Sequence, residues 1–145
     1  MRNIYLIATA AARCPEAEQP LWDYLGKVGI VRPLYDPVVG STIASHQIAY
    51  AEPKLAEIAR NRLKDAGLSV VLISMVTSPA VLFERVKDRR KKQIKNEEVF
   101  YQKQFELSQK IEADYSVPSD DLDIAAELIE KYIELRELLT TDATK

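Results

Sequence analysis

The sequence predicts an α/β domain with three layers: a mostly parallel sheet flanked by helices. Three observations carry that expectation. Residues 68–75, Leu-Ser-Val-Val-Leu-Ile-Ser-Met, form a nearly continuous apolar run too short to be a helix, as expected of a strand buried on both faces. A second run rich in β-formers, residues 4–9, lies almost at the N-terminus, where the first central strand of such a domain often begins. Segments of helical spacing stand between the strand candidates, an order that favours a parallel sheet over a sandwich or a bundle.

Residues 10–20 show no clear period and read as a loop. Residues 21–27 suit a short helix closed by Gly26 or Gly29. Residues 30–35 read as a second strand, which Pro33 confines to an edge or breaks. Asp36-Pro37 and Gly40 mark a turn, and Ser41 or Thr42 caps an expected helix reaching about Ala51. Pro53 suits the first turn of a new or kinked helix, in which Leu55, Ile58, Ala59, Leu63 and Ala66 recur at helical spacing until Gly67. After the 68–75 strand comes the turn Val76-Thr-Ser-Pro79, and Pro79 opens a helix. Leu82, Phe83 and Val86 form its apolar face, and its surface then turns basic as far as Lys95. A further helical run from Glu97 places Phe100, Gln104, Leu107 and Ile111 on one stripe. Residues 115–118 suit a short last strand. Residues 119–123 open a helix with cap residues and acids, whose buried stripe is Leu122, Ala125, Ala126, Ile129 and Ile133. The expected layout is one domain over residues 1–139 and a frayed tail over 140–145.

At 145 residues the chain is long enough to bury a sizeable core without staples. Charged residues are 29% and hydrophobic ones 47%, an ordinary globular mix. A net charge of −2 argues against whole-molecule attraction to nucleic acid, which is not an expected partner. The single cysteine, Cys14, excludes an intrachain disulfide and a multi-Cys zinc site, and the single histidine, His46, excludes a His-rich metal site. No metal is expected. No apolar run approaches the roughly 20 residues of a membrane-spanning helix, and the N-terminal run is too short for a signal peptide. The expectation is therefore a cytosolic, reduced protein with no membrane partner.

The stretch richest in chemistry is the basic segment Arg85, Lys87, Arg89, Arg90, Lys91, Lys92 and Lys95, whose guanidinium forks match phosphate oxygens. The bland alternative is a solvated helix face, with Glu84 and Asp88 as local partners. Gly40, Ser41 and Thr42 offer a glycine and two hydroxyls at an expected helix start, a candidate anion site that ordinary turn-and-cap chemistry explains more readily. His46 reads as structural or surface rather than a general base. Cys14 beside Arg13 lacks a C-x₅-R loop and reads as structural. Trp22 and Tyr24, between Leu21 and Leu25, read as core.

From about Asp36 onward the order of features resembles the P-loop kinases of nucleosides and nucleoside monophosphates, the thymidylate-kinase-like and deoxynucleoside-kinase-like proteins above all. Thr77-Ser-Pro79, then Arg85 and Arg89, stand where that family has a Ser/Pro turn followed by an Arg-x-x-x-Arg helix leading to a lid. Residues 113–118 followed by 121–125 look like the family's final strand, turn and helix. The resemblance implies a P-loop-kinase-like or Rossmann-like fold. It implies Arg85 and Arg89 as charge clamp with Arg90 beside them, and Asp36 in the place of the acidic residue near substrate or Mg²⁺. The sequence departs from the family at the phosphate loop. In place of G-x-x-x-x-G-K-[S/T], the first strand is followed by Thr9-Ala-Ala-Ala-Arg-Cys-Pro15, with no glycine and no lysine.

The leading expectation is a domain that binds a nucleotide, another phosphorylated small molecule or a protein partner without transferring phosphate. Two alternatives stay open. One is an active, divergent phosphotransferase using ATP and Mg²⁺, with catalytic Asp36, Arg85 and Arg89 and a cradle of Gly40, Ser41 and Thr42. The other is a non-enzymatic interaction module, docking or self-associating through the basic segment and the acidic C-terminal helix.

Overall fold

The computed structural model of the chain describes residues 3–34, 48–87 and 97–143. Among these, five strands form one all-parallel sheet in the order β2-β3-β1-β4-β5: β1 (Ile4–Ala8), β2 (Val31–Pro33), β3 (Ile48–Ala51), β4 (Val70–Val76) and β5 (Tyr115–Pro118). The two expected central strands lie side by side, with Tyr5 against Val71 and Ile7 against Ile73. Helices cover both faces, which gives the three-layer α/β architecture.

Alternation along the strands sorts the core into two layers. Tyr5, Ile7, Ile48, Val71, Ile73 and Met75 face α1 (Gln19–Leu25) and the long α5 (Leu122–Ala143), which bury Leu21, Trp22, Leu25, Ala125, Ala126, Ile129 and Ile133. Ile4, Leu6, Ala8, Val70 and Leu72 face the opposite way, onto Ala56, Ala59 and Leu63 of α2 (Pro53–Asp65). The helix α4 (Glu97–Lys110) covers the rest of that face, where the Ser74 hydroxyl donates to the Ser108 carbonyl at 2.8 Å. Because both faces are covered, β1 and β4 carry apolar residues at consecutive positions.

Local chemistry sets the element ends. α2 starts on Pro53, whose missing N–H is no loss in a first turn. It ends where Gly67 takes φ +85°, letting Leu68 N donate to Leu63 O at 3.0 Å and Gly67 N donate to Lys64 O at 2.9 Å. α3 (Pro79–Val86) likewise starts on a proline. α5 is opened by Asp121, whose carboxylate accepts from the N–H groups of Asp123 and Ile124. The strand with Pro33 is an edge strand, as Pro33 requires.

Two expectations need correction. The helix expected to reach Ala51 does not: residues 48–51 are β3, wedged between β1 and β2. Ile-Ala-Tyr-Ala is too short to show a period, and pairing on both sides overrides the helix preference of its alanines. The rest of that expected helix, and His46, lie outside the described residues. The stripe of α4 is led by Tyr101, Ser108 and Ile111, while Phe100, Gln104 and Leu107 are only half-buried. A serine sits inside because its small side chain, donating to Phe105 O, lets α4 approach β4. Within the tail expected over residues 140–145, the helix assignment runs to Ala143, and Asn3 Nδ2 donates to both Thr140 Oγ1 and Glu137 Oε2 beside the start of β1. Among the described residues no helix is long and apolar enough to cross a membrane.

Candidate functional site

In an open parallel sheet the connections after β1 and β4 leave in opposite directions, so a crevice forms at the C-terminal ends of those strands. The turn after β1 lies there. It is also the place where a phosphate loop would have to stand. Its side chains fill the space: Ala10, Ala11, Ala12 and Cys14 are buried, three of them against Leu82 and Val86 of α3 and Tyr101 of α4. Five of the N–H groups in and around it are spent within the chain. Thr9 N donates to Ala51 O, Ala11 N to Thr9 Oγ1, Ala12 N to Thr9 O, Cys14 N to Ala11 O, and Ala17 N to Cys14 O. A phosphate cradle needs such groups converging on one empty point. Here they close the turn on itself.

Beneath the turn lies a buried ionic cluster. Glu18 ends a short 3₁₀ turn (Pro15–Glu18) and stands at the N-terminus of α1, fully buried. The Thr9 hydroxyl donates to its Oε1 at 2.6 Å, and Arg85 Nη1 lies 3.7 Å from its Oε2. Burial pushes the Glu18 carboxyl above the usual glutamate range, against the pull of the Thr9 hydrogen bond and the Arg85 charge. Burial also lowers the Arg85 guanidinium, opposed by Glu18, Asp120 and Asp121. For both partners, withdrawal from water outweighs their mutual attraction across 3.7 Å. Arg85 Nη2 donates to Ser119 O and Asp120 O, each at 2.6 Å, which fastens α3 to the turn between β5 and α5. Ser78 N donates to Asp120 Oδ1 at 2.8 Å across the same seam.

A pocket of about 230 Å³ opens beside the turn at the ends of β1, β2 and β3, lined by Ala12, Arg13, Pro33, Leu34, Tyr50, Glu52 and Leu55. Its floor is apolar and its charge sits on one wall, where Arg13 Nε donates to Glu52 Oε1. The Arg13 guanidinium also lies 5.0 Å from the Phe100 ring centre, yet 63% of its side chain remains exposed. A wider and more open cleft of about 650 Å³ lies between α1 and β2, with Trp22 and Tyr50 stacked in its wall, ring centres 4.3 Å apart. It lies away from the C-terminal strand ends, at the start of β2, and its charged residues are paired: Asp23 with Gln19, Lys27 with Glu130. The smaller pocket is therefore the better candidate. Among the described residues no three His, Cys, Asp or Glu side chains are grouped so as to hold a metal ion.

No family model, curated protein or solved structure matches this chain. The site has to be read from its own geometry.

Of the residues singled out in the sequence, Arg85 lies in the buried cluster with Glu18, where its Nη2 donates to two backbone carbonyls, and it does not line the pocket. Asp36, Gly40, Ser41, Thr42, Arg89 and Arg90 lie outside the described residues. Sequence reasoning missed Glu18, Glu52 and the role of Thr9. Glu18 sits in Pro-Glu-Ala-Glu, a loop-like stretch without period, and its partner is far along the chain. Arg13 was noticed only as a neighbour of Cys14. The one available signal was position: a residue just past a first central strand stands at the mouth of the usual crevice.

Proposed function

We propose that this chain is a kinase-like α/β domain of the cytosol that binds a small phosphorylated molecule, a nucleoside monophosphate or another phosphate ester, without transferring phosphate. One observation carries the reading. The turn after β1 is filled by alanines and five of the N–H groups in and around it are spent within the chain, while the strand-end pocket beside it keeps an exposed guanidinium. A triphosphate finds no glycine-lined cradle in that turn, because its alanine side chains fill the space. The pocket lies below the roughly 300–1,000 Å³ of drug-sized sites, which suits a small ligand. Arg13 would exchange Glu52 for the ligand's phosphate, a stronger bidentate partner.

A thermal-shift panel tests this. Nucleoside monophosphates, nucleosides, inorganic phosphate and ATP are each added with and without Mg²⁺. A monophosphate at about 100 times its Kd stabilises by about 2.7 kcal/mol, roughly 5–10 °C in a domain of this size. The shift is expected to be independent of Mg²⁺ and to vanish in Arg13→Ala. ATP-dependent phosphorylation of a nucleoside or nucleotide, or no shift across the whole panel, overturns the reading.

A further inference from the structure

The pocket at the strand ends holds two opposite charges side by side, and water reaches them unequally. Arg13 Nε donates to Glu52 Oε1, with 63% of the arginine side chain exposed but only 23% of the glutamate's. Glu52 stands between β3 and Pro53, at the N-cap of α2, where a carboxylate ordinarily accepts from the first N–H groups of the helix. Its side chain makes no such bond. It is turned to Arg13 and the pocket instead. Among the described residues that line the pocket, these two are the only charged ones, and Pro33, Leu34 and Leu55 make the facing walls apolar.

We propose that the ligand of this pocket is a short aminoalkyl phosphate, with its phosphate on Arg13 and its primary ammonium on Glu52. The inference rests on the phosphate reading above and names the class of ester. Charge decides it. A phosphate monoester carries about −1.5 to −2 at neutral pH. Glu52 adds one more negative charge, against a single guanidinium. If Arg13 turns wholly to the phosphate, Glu52 is left without its cation while largely enclosed. If Arg13 holds both, the phosphate and the carboxylate repel each other across it. Both arrangements call for a second cation, and the described lining residues have none. The ligand has to bring it. A hydroxyl would give Glu52 a hydrogen bond without a charge, whereas an ammonium gives three donors and the charge. Because Arg13 and Glu52 touch, the ligand's two charges have to lie close together, and a pocket of about 230 Å³ leaves little room beyond a short linker. Glu52 is then the residue that sets specificity.

Isothermal titration calorimetry of the full chain at neutral pH tests this with three esters that differ only at one end: aminoethyl, hydroxyethyl and ethyl phosphate. The amine is protonated there, since alkylammonium groups titrate near about 10. The aminoethyl ester is expected to bind about 10- to 100-fold more tightly than the other two, the range that a hydrogen bond between charged groups supplies. Glu52→Gln, nearly isosteric, is expected to bring the three to similar affinities. It should also hold ethyl phosphate more tightly than wild type does, because no carboxylate then stands beside the phosphate. Co-sedimentation with phosphatidylcholine vesicles, with and without phosphatidylethanolamine, separates the free ester from a lipid headgroup with the same two charged groups; the chain is expected to stay in the supernatant. Four results overturn the aminoalkyl class and leave the phosphate reading standing: equal binding of the three esters, preference for the hydroxyethyl ester, a folded Glu52→Gln that keeps the wild-type preference, or binding of a nucleoside monophosphate with none of the three. Pelleting with phosphatidylethanolamine overturns the free ester as ligand. Binding of no phosphate ester at all overturns the phosphate reading and this inference with it.

Discussion

Glu18 is held where its charge is least welcome. It is fully buried, accepts one hydrogen bond from Thr9, and its second oxygen, with no hydrogen-bond partner among the described residues, faces Arg85 across 3.7 Å. Burial raises its pKa, so in the window running upward from the ordinary glutamate range the folded chain keeps a proton that the unfolded chain has released. More protons on the folded state means stability falls as pH rises through that window, then levels off above the raised value. Glu130 pulls the other way. Its hydrogen bond from Tyr24, and beyond that its contact with Lys27, hold its pKa down, so it loses stability as pH falls. The difference between wild type and Glu18→Gln isolates the buried group, because Gln keeps the Thr9 hydrogen bond and cannot titrate. Urea midpoints from mildly acid to mildly alkaline pH are expected to show the variant gaining on wild type as pH rises. Parallel curves for the two chains would mean that the folded state does not hold the proton.

Arg85 ties three elements together: it belongs to α3, reaches Glu18 at the start of α1, and donates to Ser119 and Asp120 in the turn before α5. With 12% of its side chain exposed, it acts inside the protein. At a pH above the raised pKa of Glu18, where that carboxyl is ionised, Arg85→Ala is expected to destabilise by about 3–5 kcal/mol, because it leaves a buried carboxylate uncompensated. In the Arg85→Ala/Glu18→Gln double variant the stranded charge is gone, so the two costs add to more than the pair measures together. Strict additivity in urea unfolding would show that the two side chains do not share one cluster. Elements with a long period or a strong stop signal were legible in the sequence: the Pro53 and Pro79 helix starts, the Gly67 end, the stripe of α5. β3 was not, because four residues of Ile, Ala and Tyr carry no period and become a strand only through the neighbours on either side. Arg85 was legible through its place on a helix after a Thr-Ser-Pro turn. Its partner Glu18 was not, since local spacing holds no trace of a contact made by folding.

Strand order belongs to the whole chain and has no local signature. The sequence marked β1 and β4 as central by their continuous apolar runs, and the sheet places them side by side. It gave no means of knowing that the third strand inserts between the first two. That insertion puts Glu52 next to Arg13 and so makes the pocket. The order also sets where the molecule opens last. β1 and β4 are flanked by strands on both sides and by helices on both faces, whereas β2 is a three-residue edge strand containing a proline. Amide hydrogen exchange under native conditions should therefore rank β1 and β4 slowest, opening only with global unfolding. Val31 and Arg32 in β2 should exchange fastest among the strand amides, through local fraying. β3 tests the topology most sharply, because as an interior strand it must be protected despite its four residues and its alanines. If Ala49 and Tyr50 exchange as fast as β2 while β1 stays protected, β3 does not sit between β1 and β2 in solution. The pocket built on that insertion then falls with it.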